Sequence, residues 1–283
     1  MKTIDEMVSM LKEVKHRTFS NGTVYLLHTN DGLPVEVTDT FLPFYTKDAI
    51  GKKQNVLESY DVGDRTDRWM IGVSVMSGCP VGCKFCATAK LKKCRNLTWE
   101  EIIAQIEFII RKHHNGRYTA MIAKEFKINY TRMGEPFLNI DNVRKAIDYI
   151  DNSFSSPRPI TTGSNGTHHY ISTIGIKDSD FSWIKNNITL QLSVHSFDEK
   201  QRDWLIPYPH KMTLESMGQI RTKSKLKTTI NMTMARKEDF DIELLKKWFD
   251  PEFFFVKISP INENSVSKSN GLGKGIISQL NLM

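Results

Sequence analysis

Apolar and polar residues along this chain follow two periods, and the rhythm becomes regular at about residue 68. Near the start, Ile4, Met7, Val8, Leu11 and Val14 recur at helical spacing, with Asp5, Glu6 and Glu13 between them. That spacing predicts an amphipathic surface helix over residues 1–16. TVYLLHT (23–29) then predicts a strand, Asn30-Asp31-Gly32 a turn, and PVEVTDTFLPF its partner strand in a hairpin. Residues 45–66 are polar and lack a period, as a loop or linker would. From residue 68, short β-branched or aromatic runs alternate with helical patterns. The predicted strands are RWMIGVSVM (68–76), FKINYTRM (126–133), HHYISTI (168–174), ITLQLSVH (188–195), TTINMTM (228–234) and FFFVKIS (253–259). The clearest predicted helix is TWEEIIAQIEFIIRKHH (98–114), where Thr98 and Glu101 form a capping box ahead of a broad apolar face. DNVRKAIDYID, FSWIKNN, LESMGQIRTK and IELLKKWF are shorter helical patterns, and GLGKGIISQLNL is one interrupted by glycines.

Strands alternating with helices point to an α/β fold with a parallel sheet, either open or curled into a partial barrel. In both, functional residues gather at the carboxyl ends of the strands. The expected division is residues 1–66 as N-terminal helix, hairpin and linker, and residues 67–283 as the core.

Composition narrows the class. The 283 residues are 40% hydrophobic, enough for a core without covalent staples. The apolar runs are too short to cross a bilayer and no secretory h-region opens the chain. A soluble protein of the reducing cytoplasm, with no membrane association, is expected. The formal charge of +7 is partly local, in KLKKCR (90–95) and RTKSKLK (221–227). Such patches are ordinarily solvated surface, but they also supply the sequence-independent attraction that RNA needs. Oligomeric state is not written in the pattern.

All four cysteines lie between residues 79 and 94. In a reducing compartment a cluster of this kind is more often metal-binding or catalytic than bridged. Cys79, Cys83 and Cys86 have the spacing Cys-x3-Cys-x2-Cys just after the first core strand, and Cys94 follows eight residues later. Tight thiolate spacing suits iron–sulfur ligation. A zinc site remains the alternative, although zinc usually takes two Cys-x2-Cys pairs set apart. GLGKG (271–275) has no preceding strand and no Lys-Ser/Thr pair, and is not a phosphate loop.

This spacing after the first strand of a βα array, with Phe85 before the third cysteine, resembles the radical S-adenosylmethionine (SAM) superfamily. Five segments, the first holding these cysteines, appear in order: SGCPVGCKFCATA…RNLTWEEIIAQI, RMGEPFLNIDNV, ISTIG, LQLSVHSFDEKQRDWLIP and KISPIN. Over roughly residues 68–265 they resemble the RlmN/Cfr-like RNA adenine methyltransferases. The resemblance implies a partial (β/α)6 barrel of the radical SAM type. It implies a [4Fe-4S] cluster on Cys79, Cys83 and Cys86, with SAM chelated at the open iron. It further implies SAM contacts from Gly134, Glu135, Ser172, Ser193 to His195, and Asn262, and a reductase or other electron donor as partner. Residue chemistry agrees: Glu135 can accept from the SAM ammonium, and Ser172 and Asn262 sit near strand ends.

The resemblance also implies two more cysteines. One falls seven residues before Cys79, where this chain has Gly72. The other, the methyl carrier, belongs beyond the sixth helix, where the chain runs to Met283 with no cysteine after Cys94. The helical N-terminal domain of the rRNA-acting members is expected to be absent or reduced to one helix and a hairpin. The leading expectation is a radical SAM enzyme whose deoxyadenosyl radical acts directly on an unidentified substrate, without the methyl-cysteine mechanism. An RNA adenine methyltransferase, or another RNA-modifying enzyme, is the alternative. It would draw on Cys94, a partner chain or another methyl carrier. A binding protein with a structural cluster or zinc is the third. No residue beyond these is assigned a catalytic role.

Overall fold

A computed structural model describes residues 2–43, 46–47, 53–54, 63–153, 166–234, 237–259 and 261–273. The chain divides into two compact units. One holds Met1–Ser77, Asn96–Met133 and Asn139–Tyr170, the other Gly78–Arg95, Gly134–Leu138 and Ile171–Met283.

The first unit opens with α1 (Ile4–Val8), β1 (Leu11–Phe19), β2 (Gly22–Thr29) and β3 (Pro34–Leu42). Two-residue strands β4 (Thr46–Lys47) and β5 (Lys53–Gln54) pair with each other. Then come β6 (Arg68–Val73), the short β7 (Met76–Ser77) and β8 (Arg95–Asn96), of which Arg95 belongs to the second unit, α2 (Trp99–Arg111), α3 (Gly116–Ile122), β9 (Glu125–Tyr130) and α4 (Ile140–Ser153). Strand β10 (His168–Thr173) begins in this unit. The strand order is β1-β2-β3-β6-β9-β10. β1, β2, β3 and β6 are antiparallel neighbours, and β6 and β9 are parallel. The core of the unit is the apolar face of α2, with Ile102, Ile103, Ile106 and Ile109 all fully buried, together with Trp69, Ile71, Ile128 and Tyr130 from the strands. Thr98 caps α2 by the expected reciprocal bonds with Glu101. Two buried amides tie down the backbone beyond β6. Gln105 exchanges bonds with Ser74 N–H and C=O (2.8 and 2.9 Å), and Asn139 Nδ2 donates to Val75 O and Leu97 O (2.7 and 2.8 Å). These amides satisfy backbone groups that have left the ladder and could not stay unpaired in the interior.

The second unit continues β10 and adds β11 (Ile188–Ser193), α5 (Glu199–Leu205), α6 (Leu214–Gly218), β12 (Thr228–Thr233), α7 (Ile242–Trp248), β13 (Phe254–Ser259) and α8 (Ser265–Ser269). The strand order is β10-β11-β12-β13, with β11, β12 and β13 parallel in register, Ser193 beside Asn231 and Thr233 beside Ser259. Along β10, β11 and β12 the side chains alternate, so that Ile171, Leu190, Leu192, Ile230 and Met232 are buried. Ser172, Gln191, Ser193, Asn231 and Thr233 are half-buried on the opposite face. Alternation by two turns one face to the core and leaves the other polar.

The helix expected over residues 1–16 is corrected. Only Ile4–Val8 are helical, with Thr3 and Glu6 closing a capping box, and residues 11–19 are a strand. Ser20 and Asn21 form a two-residue turn into Gly22, and β1 pairs with β2 from Leu11↔Thr29 to Phe19↔Gly22. The turn chemistry at Ser20-Asn21-Gly22 outweighs the chance helical spacing of Val14, which is 48% exposed. The helix expected over FSWIKNN is also corrected: residues 181–187 are turns, with Trp183 Nε1 bonded back to Asp180 O (3.0 Å). Helices α3, α5 and α8 were not anticipated. Most of the expected 45–66 linker, and the GLGKGIISQLNL pattern from residue 274 onward, lie outside the described residues. No helix among the described residues is long and apolar enough to cross a membrane.

Candidate functional site: a cysteine loop and the carboxyl ends of the strands

The cysteine loop turns on two glycines. Gly78 (φ +72°) and Gly82 (φ +71°) sit in the left-handed region, which costs other residues backbone strain. A Cβ on Gly78 would collide with Lys93 O and lie 2.9 Å from Cys94 Cβ, so only glycine admits that close approach. Between and after these turns stand Cys79, Cys83 and Cys86, with Cys86 N–H bonded to Cys83 O (3.1 Å). All four cysteines are free thiols.

Several elements of the same unit hold the loop. Lys84 N–H donates to Leu205 O at the end of α5 (2.9 Å). Asn264, the N-cap of α8, donates through Nδ2 to Phe85 O (2.9 Å), and Asn270 Nδ2 donates to Lys84 O (3.0 Å). Lys90 Nζ reaches Ser265 Oγ. The Phe85 ring meets the His195 ring edge-on, centroids 4.8 Å apart. α8 was not foreseen, yet it supplies two of these anchors.

Burial pushes the Cys79 thiol up to about 12, with the charges of Glu135, Cys86 and Cys94 adding to the effect. Burial likewise lifts Cys83 well above the usual thiol value, with Cys86, Cys79 and Glu135 contributing. These thiols hold their protons until a metal displaces them. Among the described residues, no three His, Cys, Asp or Glu side chains converge where one ion could sit. Three soft thiol donors in one short loop suit an iron–sulfur cluster.

Beside the loop, Gly134 (φ +100°) turns the chain into Glu135, which is 3% exposed. The Glu135 carboxylate accepts from Phe137 N–H and Ile174 N–H, both at 3.0 Å, and from Thr173. Burial outweighs these bonds and raises its pKa to about 7. Ser172 Oγ donates to Gln191 Oε1, which also accepts from Asn231 Nδ2, each at 3.0 Å. Ser193 lies beside Asn231 in the ladder. His195 has φ +65° and is buried. Its Nδ1 accepts from Thr233 N–H (3.0 Å), and its backbone N–H donates to Asn231 O (3.3 Å). Burial drives its pKa down to about 3, so the ring is neutral with the proton on Nε2. Asn262 is exposed beyond β13, and its carbonyl accepts from Asn264 Nδ2 (3.0 Å), the amide that also grips the cysteine loop.

The structure thus links Ser172, Ser193 and His195 through Gln191 and Asn231, and ties Glu135 to the end of β10. Gln191 and Asn231 were missed in the sequence. Their signal was present as polar residues at every second position of LQLS and INMT, the face opposite the core.

The Radical SAM superfamily profile matches residues 73–249. The chain belongs to the radical SAM superfamily. Members use a [4Fe-4S] cluster and SAM, and Cys79, Cys83 and Cys86 match the Cys-x3-Cys-x2-Cys motif. The chain is 32% identical over 230 residues to a probable dual-specificity RNA methyltransferase RlmN of Heliobacterium modesticaldum, covering 78% of this chain and 52% of that one. It is 30% identical over 282 residues to the dual-specificity RNA methyltransferase RlmN of Campylobacter concisus, covering 96% and 62%. The chain therefore spans about half the length of the curated relatives it matches. Its fold is similar to the crystal structure of a radical SAM methyltransferase from Sphaerobacter thermophilus. The TM-score is 0.58 and the identity 21%, over 90% of this chain and 68% of that one. The radical SAM fold expected from the sequence is the one observed.

Proposed function

We propose that this chain is a radical SAM enzyme with its cluster on Cys79, Cys83 and Cys86 and its SAM site on Gly134, Glu135, Ser172, Ser193, His195 and Asn262. The cluster and SAM, when bound, supply one-electron cleavage of SAM to methionine and a 5′-deoxyadenosyl radical, with the electron coming from a reductase or other donor in the cytoplasm. Within the protein, Glu135 offers a buried carboxylate to the SAM ammonium. The Ser172–Gln191–Asn231 network presents hydrogen-bonding groups suited to a ribose or carboxylate, and His195 orients Phe85 and so the cluster loop. One observation supports this reading above the others: three thiols in one glycine-hinged loop, beside a carboxyl that no lysine or arginine among the described residues neutralises.

We further propose that the radical acts directly on its substrate, without the methyl-cysteine mechanism. Gly72 stands where the resemblance calls for a cysteine. A Cβ there would crowd Thr38 Oγ1 and lie 3.0 Å from Arg132 Cδ, so a cysteine would have to displace these side chains. The second reading, modification of RNA, is favoured by the names of the curated relatives and by the basic segments at 90–95 and 221–227. The experiment is anaerobic reconstitution, then turnover with a reductant, methyl-labelled SAM and RNA. Unlabelled 5′-deoxyadenosine with label left in methionine is the expected result. Absence of 5′-deoxyadenosine refutes the radical reading. Label on a cysteine peptide and on adenine in RNA would establish the second reading instead.

A further inference from the structure

Arg202, on α5, is completely buried. Its Nη1 donates to Met212 O (2.7 Å), and its Nη2 donates to Ile174 O (3.0 Å) and faces Met217 Sδ (3.3 Å). Its Nε has no acceptor among the described residues. The guanidinium stays charged in any protein setting, yet each of these partners is neutral. The carboxylate nearest to it, Glu199 Oε2, is 4.0 Å from Nη1 on a side chain 47% exposed, and its other oxygen accepts from Leu214 N–H (2.9 Å). Asp203 is engaged by Lys211 at 2.6 Å. The ion pair with Glu199 is long and half-exposed, so it compensates the buried charge of Arg202 only weakly.

The cysteine loop offers a further source of negative charge. The helix that carries Arg202 grips the cysteine loop, since Lys84 N–H bonds to Leu205 O, and Pro207 packs 3.9 Å from the Cβ position of Gly82. The charges of Glu199 and Asp203 act on Arg202 and charge on Cys83 adds to them, while Arg202 in turn acts on His195, which burial keeps neutral. Three thiolates around a [4Fe-4S] core leave a net negative charge, and one-electron reduction makes it more negative. A fixed cation in a low-dielectric setting favours the more negative state.

We infer that Arg202 is the buried counter-ion of the cluster site and that its charge makes the cluster there easier to reduce. The inference rests on the reading of Cys79, Cys83 and Cys86 as cluster ligands. It gives Arg202 an electrostatic role, with no contact to substrate.

The test uses the full chain, reconstituted anaerobically, as wild type, Arg202→Gln and Arg202→Lys. Iron and sulfide are measured first. The reduced fraction is then followed by electron paramagnetic resonance against poised mediators, without SAM or substrate. Arg202→Gln is expected to lower the reduced-to-oxidised ratio at a given poise about tenfold, equivalent to about 59 mV for a one-electron couple. Arg202→Lys, which keeps the charge, is expected to stay close to wild type. A wild-type ratio in Arg202→Gln overturns the inference. So does an equal fall in Arg202→Lys, which would assign the effect to shape. Should Arg202→Gln bind no iron, unfolding of the two apo proteins decides. Stability at or above apo wild type supports a charge that was waiting for its partner, and clear destabilisation makes Arg202 a scaffold residue and overturns the inference. Wild-type protein that takes up no iron and sulfide refutes the cluster reading itself, a failure distinct from these.

Discussion

Replacing Glu135 by glutamine removes a titrating group from a place that water scarcely reaches. Burial holds this carboxyl at about pKa 7 in the folded protein, against an ordinary value of 4.5. Between those values the folded protein keeps a proton that the unfolded chain has released. The folded state is therefore favoured most below about pH 4.5, and it loses stability as the pH rises towards 7. The gap of about 2.5 pH units, at about 1.36 kcal/mol each, amounts to roughly 3 kcal/mol. Glutamine does not titrate. It keeps one oxygen as an acceptor but sets an amide NH2 against the backbone donor on the other, Phe137 or Ile174, at a pH-independent cost of about 1–3 kcal/mol. The expected outcome is a wild-type-minus-variant stability difference that moves by roughly 3 kcal/mol towards the variant from about pH 4 to about pH 8. Urea unfolding of the apo proteins measures it, and other titrating groups cancel in the difference. If Glu135 takes the SAM ammonium, calorimetry should also show wild-type affinity for SAM rising through pH 7, with Glu135→Gln losing that rise. A flat stability difference across the range refutes the buried-carboxyl argument, and an unchanged pH dependence of SAM binding refutes the ammonium contact.

Alanine at Cys79, Cys83 or Cys86 is expected to abolish the visible absorption and iron content of the reconstituted protein, while Cys94→Ala keeps both; equal loss in all four would put Cys94 among the ligands. Gly72→Cys is expected to destabilise by about 1–3 kcal/mol through overpacking against Thr38 and Arg132, and Thr38→Ala should recover part of that loss in denaturant unfolding. Asp39 is buried. Although that burial pulls its pKa up, hydrogen bonds from His113 and Arg65 and the Arg65 charge leave it below the usual value. Its contribution is present above about pH 3.8 and lost as the pH falls through the depressed folded value. Asp39→Ala strands the Arg65 guanidinium and the Trp69 and His113 ring nitrogens, and should cost about 3–5 kcal/mol at neutral pH by chemical denaturation.

Much of this molecule is written locally. The six core strands were legible because each is a short run of β-branched or aromatic residues bounded by turn chemistry. α2 was legible because Thr98 and Glu101 mark its start and isoleucines recur along one face. The Cys-x3-Cys-x2-Cys motif was legible for the same reason: three cysteines in one loop need no distant partner to be recognised. Errors came where two local signals competed. The first sixteen residues satisfy a helical period, but Ser20-Asn21-Gly22 turns β1 back onto β2, and ladder bonds between distant residues then override the helix. α5 and α8 are short, with caps at Asp198 and Asn264, and they gain their place by packing on the cysteine loop instead of by a period of their own.

Contiguous residues thus determine period, turns and ligand spacing, because these depend on sterics and hydrogen bonds over a few positions. They do not determine what surrounds a side chain. Glu135 reads as an ordinary carboxylate until the fold buries it against Phe137, Thr173 and Ile174 and lifts its pKa to about 7. His195 reads as a titratable histidine until burial makes it neutral. Arg202 reads as a surface arginine four residues into a charged stretch, and the fold seals it beside the cysteine loop with no acceptor for its Nε among the described residues. Desolvation and counter-charge come from residues far away in sequence, so the tertiary structure alone decided how burial shifts each of these groups.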